Sequence, residues 1–165
     1  AYVMQPFDVN LDYRGRPRRT AQFELGHAEI GVATEPEPRL AADLAELFTE
    51  VGLEAPKAVP VMRSDHQVAQ KLHAVSGERS ERASDLVDLQ LLDKGGYLDL
   101  PQVVATCVRL FDYRRRQTWP PNIVVGARWD TLYAEAAEGL EVLPTVGDAV
   151  AWANAFIERI AATAP

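Results

Sequence analysis

Three charged residues stand among leucines in the stretch KLHAVSGERSERASDLVDLQLL, residues 71 to 92: Lys71, Asp85 and Asp88. A charge in apolar surroundings is costly without a partner or a task. An ammonium close to carboxylates can neutralise a phosphate, hold an acid in place for substrate, or tie two elements together. At 100° per residue Asp85 falls between Leu89 and Leu92 on one helix, so its carboxylate points along the apolar stripe. Asp88 follows one turn on, beside Leu92, and two acids on that edge repel unless a cation lies close. Lys71 borders the stripe of the preceding helix, next to Val75, and the short SGERSER connection folds the two helices antiparallel. The ammonium and a carboxylate then meet across the hairpin. The cluster is either a site for an anionic substrate or a structural ion pair, and Asp85 in a first helical turn also suits the helix dipole. Asp65, directly after the Ser64 cap, suits a first turn in the same way. His66 and His73 are two turns apart, about 10 Å along the axis, too far for one metal ion, and read as ordinary helix residues.

The elements that must position these residues follow from periodicity. FDVNLDYRGRPRRTAQFELGHAEIG alternates apolar and polar residues on both sides of RGRP, a hairpin whose turn is expected at Gly15 and Pro17. Arg14, Arg16, Arg18 and Arg19 crowd its tip, as a solvated edge or as a phosphate-facing patch. EPEPRLAADLAELFTEVGL predicts a surface helix packed through Leu40, Leu44, Leu47 and Val51, with Gly52 as its stop. KAVPVM reads as a short edge strand. Ser64 and Gln67 predict a capping box for a helix over 64–76, followed by helices over 80–93 and from Asp99 or Leu100 onward, with Pro101 in the first turn. Residues 120–140 read as mixed loop and helix. Val146, Val150, Ala153 and Ile157 predict a terminal amphipathic helix. Strands segregated from helices give an α+β class: a small antiparallel or mixed sheet with one helix over residues 1–62, then a C-terminal helical bundle over 63–165.

The 165 residues carry a formal net charge of -7, which argues against a general nucleic-acid coat protein. The single cysteine, Cys107, lies in an apolar run and predicts a packed thiol in a reducing compartment, the cytoplasm by default. No apolar run approaches the roughly 20 residues needed to cross a bilayer, and the opening AYVMQPFDV lacks a signal-peptide pattern. The chain opens without methionine, straight into an expected strand, so residues upstream are expected.

The stretch DHQVAQKLHAVSGERSERASDLVDLQLL resembles the signature of the AbiEii/AbiGii-type toxin nucleotidyltransferases, in which an acid, an alanine and a lysine on one helix precede an arginine-rich turn and an R-D-x-x-D-L aspartate pair. Ala69, Lys71, Leu72, Ala74, Asp85, Leu86, Asp88 and Leu89 match it. Asp65 and His66 stand where a glutamate is usual, and Ser84 replaces the arginine before the first aspartate, leaving Arg82 or Arg79 to supply a guanidinium. WPPNIVVGARW and AQFELG extend the likeness more loosely, the latter resembling the strand that carries the last metal-binding carboxylate. The resemblance implies a polymerase-beta-like nucleotidyltransferase. It places Lys71 and Arg82 at the triphosphate of an NTP, Asp85 at a substrate or in stabilising the site, Asp88 in support, and Glu24 on Mg2+. It also implies a tRNA acceptor and a cognate antitoxin protein.

The glycine turn and D-x-D pair of that family are missing. FDVNLD, with Asp8, Asn10 and Asp12 on one face, lacks the glycine turn and reads as structural. The chain is therefore expected to be a C-terminal portion lacking the upstream catalytic strands, or a degenerate relative, and in either case inactive alone. A second reading is a non-catalytic helical module that holds an acidic partner or RNA through the arginines at 14–19 and 114–116.

Overall fold

The structure, a computed structural model, describes residues 5–26 and 36–164, so the end of the expected hairpin stretch, residues 27–31, lies outside the described residues. The chain divides into two units, Ala1–Glu35 and Pro36–Pro165.

In the first unit, β1 (Gln5–Tyr13) and β2 (Arg16–Leu25) pair antiparallel. The connection is Arg14 and Gly15, both left-handed at φ 53° and 71°, which is the twist a two-residue hairpin requires. Pro17 lies on β2 opposite Asp12, so the turn rests on Gly15 and not on Pro17. The register slips between Leu11, opposite Arg19, and Asp12, opposite Pro17, which leaves Arg18 as an extra residue. One face carries Phe7, stacked on Phe23 with centroids 5.7 Å apart. The other carries Asp8, Asn10 and Asp12, and there Thr20 Oγ1 donates to Asn10 Oδ1 across the strands.

The second unit begins with β3 (Glu37–Arg39), α1 (Ala42–Glu50) and β4 (Val59–Val61), β3 and β4 pairing antiparallel. The stripe expected to pack α1 is open instead: Leu44 and Leu47 are 40% and 52% exposed, and no other described element packs on the helix. Periodicity fixes which side of a helix is apolar but supplies no neighbour to cover it.

Five helices follow: α2 (Ser64–Val75), α3 (Ser84–Lys94), α4 (Leu100–Arg114), α5 (Trp129–Ala137) and α6 (Val146–Ala161). Helix α2 packs on α3 and α4, while α3 also meets α5 and α6. Their shared core includes Leu72, Leu86, Leu89, Cys107, Trp129 and Phe156, all buried. Asp99 caps α4, its carboxylate accepting from Gln102 N, with Pro101 in the first turn. Thr145 caps α6, which buries Val146, Val150, Ala153 and Ile157 as its period predicts. The Ser64 capping box does not form. Arg63 holds the cap position and its side chain makes no capping bond, while Gln67 Nε2 reaches back to the Met62 carbonyl at 2.6 Å. Helix α3 starts at Ser84 and not at 80, because the Ser80 hydroxyl bonds the Ala74 carbonyl and holds residues 80–83 in a turn.

The architecture of the described residues is α+β, with two small antiparallel sheets and a helical bundle. No helix among the described residues is long and apolar enough to cross a membrane.

Candidate functional site

Helix α2 turns Val68, Ala69, Leu72 and Val75 into the bundle, which leaves Lys71 at the margin of its buried face. Helix α3 does the same with Leu86, Val87 and Leu89, and its first turn places Asp85 inside, 2% exposed. The connection 76–83 is pinned at its centre, where the Trp129 indole donates to the Ser80 carbonyl at 2.7 Å. These constraints aim four side chains at one point.

Lys71 Nζ stands 3.2 Å from Asp85 Oδ1 and 2.5 Å from Asp88 Oδ2. Arg82 Nε lies 3.0 Å from Asp85 Oδ2, so each oxygen of the buried carboxylate has a cation. Arg82 therefore brings the guanidinium to Asp85, two residues before Ser84, where the family pattern has its arginine. The formal charge of the four groups cancels, which is what allows Asp85 to sit out of water. The cluster opens to solvent on one side, where the Asp88 and Arg82 side chains are 47% and 62% exposed.

Burial alone would lower the Lys71 pKa, but the hydrogen bond to Asp88 and the charge of Asp85 outweigh it and hold the ammonium above its ordinary value of 10.5. Arg82 is likewise raised, chiefly by its hydrogen bond to Asp85. A cation with a raised pKa contributes its stabilisation in full below the unfolded value and loses it as pH rises through the folded one. The difference in unfolding free energy between the wild type and Lys71→Met is thus expected to stay level below pH 10.5 and to shrink above it, as measured by urea titration across alkaline buffers. A difference that shrank well below that pH would contradict the paired ammonium.

Glu24 stands on β2 in the other unit, exposed and opposite Pro6. The two arginine groups also belong to different units, 14–19 to the hairpin tip and 114–116 to the end of α4. There Arg115 and Arg116 line a groove of about 690 Å3 together with Asp112 and Trp119. Among the described residues no three His, Cys, Asp or Glu side chains gather as a metal site. The carboxylates at the α2–α3 cluster are committed to cations, so the donor set among the described residues does not fit Mg2+.

Sequence reasoning missed a second buried constellation. Asp65 does lie in the first turn of α2, but its Oδ2 accepts from the Thr106 hydroxyl at 2.7 Å and its Oδ1 from Arg63 Nε at 3.0 Å, stitching α2 to α4. Burial opposes ionisation of Asp65, yet these bonds win and lower its pKa. The signal was Thr106, a hydroxyl on the same helix face as Val103 and Leu110. His66 and His73 are both buried. His73 meets Phe111 edge-on at 4.9 Å, with Nδ1 3.2 Å from Arg114 Nη1, while burial leads the forces that lower the His66 pKa. Cys107 is fully buried, as its apolar run predicts, and burial pushes its thiol up, with the Asp65 charge adding to the effect.

A lysine and an aspartate pair converging between two helices, behind an arginine-bearing turn, is the arrangement that the signature at 65–92 describes. Residues 5–155, spanning both units, match the family described as nucleotidyl transferase AbiEii toxin, type IV toxin–antitoxin system. The chain belongs to that family. No curated protein matches it.

Proposed function

We propose that this chain binds the triphosphate of a nucleoside triphosphate at Lys71 and Arg82, and serves in transferring a nucleotide from it to an RNA acceptor such as tRNA. The observation that carries this reading is the meeting of Lys71, Arg82, Asp85 and Asp88 at a solvent-open cluster. An ammonium has three donors, and the carboxylates engage two of those on Lys71. Asp85, buried and bonded through both oxygens, holds the two cations in place. Asp88, half exposed, is the acid that an incoming phosphate displaces from Lys71. In nucleotidyl transfer the acceptor oxygen bonds to the α-phosphorus while the bond to the departing pyrophosphate breaks, and negative charge grows on the leaving oxygens. Lys71 and Arg82 are the groups that would meet that charge.

In this reading Glu24 would be a metal carboxylate, and Mg2+ belongs to it only together with further donors such as a D-x-D pair, which the 165 residues do not contain after a glycine turn. Binding, not turnover, is therefore the test for this chain. The same reading gives it a cognate antitoxin and a cytoplasmic setting. Titration with a fluorescent ATP, GTP, CTP and UTP series should show saturable binding that Lys71→Ala weakens at least about tenfold, equivalent to about 1.4 kcal/mol. Asp88→Ala, which removes the competitor for the ammonium, should tighten it. A cluster that is only structural predicts no saturable binding by the wild type, and that result defeats the proposal.

A further inference from the structure

We propose that the tip of the β1–β2 hairpin is a finger that grips the phosphates of an RNA strand, with Tyr13 offering a face to a base. Four of the chain's 17 lysines and arginines lie within residues 14–19, although the net charge is -7. Some cations elsewhere are matched to acids, as at Arg63–Asp65, Lys71–Asp85 and Arg159–Asp93, and no other six-residue stretch of the sequence gathers four of them. Arg14, Arg16, Arg18 and Arg19 make no ion pair with any described residue, and the interactions of their guanidinium groups are those of Arg14 and Arg18 with the Tyr13 ring, at 5.2 and 5.8 Å from its centroid. Self-repulsion among four unpaired cations is unfavourable, and an arriving polyanion relieves it.

The backbone points the same way. The first turn position, at φ 53°, normally takes asparagine, aspartate or glycine, yet it carries Arg14. The register slip leaves Arg18 with no residue opposite it on β1. Tyr13 is 55% exposed and already polarised by two guanidinium groups, a surface on which a base stacks. Planar guanidinium groups bind phosphates in bidentate fashion. An acidic polypeptide would satisfy the charge but would leave the ring without a stacking partner, so the combination favours a nucleic acid. The choice of RNA rests on the acceptor proposed above, whereas the finger is separate from the Lys71 cluster and can fail without it.

The test uses the full chain and a labelled oligouridine of about 16 nucleotides, the upper site size for a small single-strand binding surface, with anisotropy recorded over a series of KCl concentrations. The slope of log K against log salt should flatten by about three when Arg14, Arg16, Arg18 and Arg19 are all changed to Gln, since each single-strand phosphate contact contributes about 0.7. Changing the same four to Lys should preserve the slope. Tyr13→Ala should weaken binding about tenfold with the slope unchanged. Lys71→Ala should leave both quantities as they are while weakening nucleotide binding at least about tenfold, which separates failure of the finger from failure of the nucleotide site. Absence of oligouridine binding, or a slope indifferent to the four Gln substitutions, overturns the proposal. So does displacement by polyglutamate as effective as by oligouridine, together with no effect of Tyr13→Ala, which would assign the tip to an acidic protein.

Discussion

Asp85→Ala lowers the unfolding free energy by about 3 kcal/mol, the low end of the range for breaking a buried ion pair from one side. The carboxylate is 2% exposed and holds Lys71 and Arg82 through separate oxygens, so its removal leaves a mostly covered ammonium facing a void. Two circumstances keep the loss from the upper end. Lys71 retains Asp88, and Arg82, already 62% exposed, can turn to water. The first turn of α3 also loses a negative charge that favours its N-terminus, a smaller part of the total at about 0.5 kcal/mol. For a chain of this size the midpoint of thermal unfolding falls by roughly 6–12 °C. Urea titration of Asp85→Ala beside Asp88→Ala decides the matter. Asp88 is half exposed and its loss should cost under about 1 kcal/mol. If the two variants lose equal stability, Asp85 is not the anchor of the cluster.

That asymmetry was partly legible before any coordinates. The stripe of Leu89 and Leu92, with Asp85 between them, predicts that Asp85 faces inward, and a seven-residue connection predicts that its helix folds back on the one bearing Lys71. What periodicity could not supply was the identity of the second cation. Arg79 and Arg82 both lie in the connection, and only the turn geometry, fixed by Ser80 bonding the Ala74 carbonyl, aims Arg82 at the carboxylate. Terminal helix α6 was legible throughout, because a cap at Thr145 and a strong apolar stripe agree with each other. The α1 stripe looked equally good and is open, since amphipathicity states a need for a neighbour and not its presence. Asp65 shows the converse failure. Its local reading as a first-turn acid is correct, but its partner Thr106 is 41 residues away, a distance over which no spacing rule operates.

Trp129 carries the largest expected loss. Trp129→Ala should destabilise the bundle by about 4 kcal/mol, within the range for deleting a large buried aromatic, since the ring is 1% exposed at the start of α5. The ring has no room to relax toward Gly126, where even a Cβ would stand 2.5 Å from the indole nitrogen. Trp129→Phe separates packing from hydrogen bonding. It fills much of the same volume but removes the donor to the Ser80 carbonyl, a bond worth about 1 kcal/mol net and more where the carbonyl stays dry. That bond fixes the turn on which Arg82 reaches Asp85, so its loss propagates to the cluster while the core persists. Trp129→Phe, measured at a temperature where it remains folded, should therefore weaken nucleotide binding in the manner of Arg82→Ala, and the two substitutions combined should weaken it little more than either alone. Full additivity of the two would show that the indole supports the bundle without positioning Arg82.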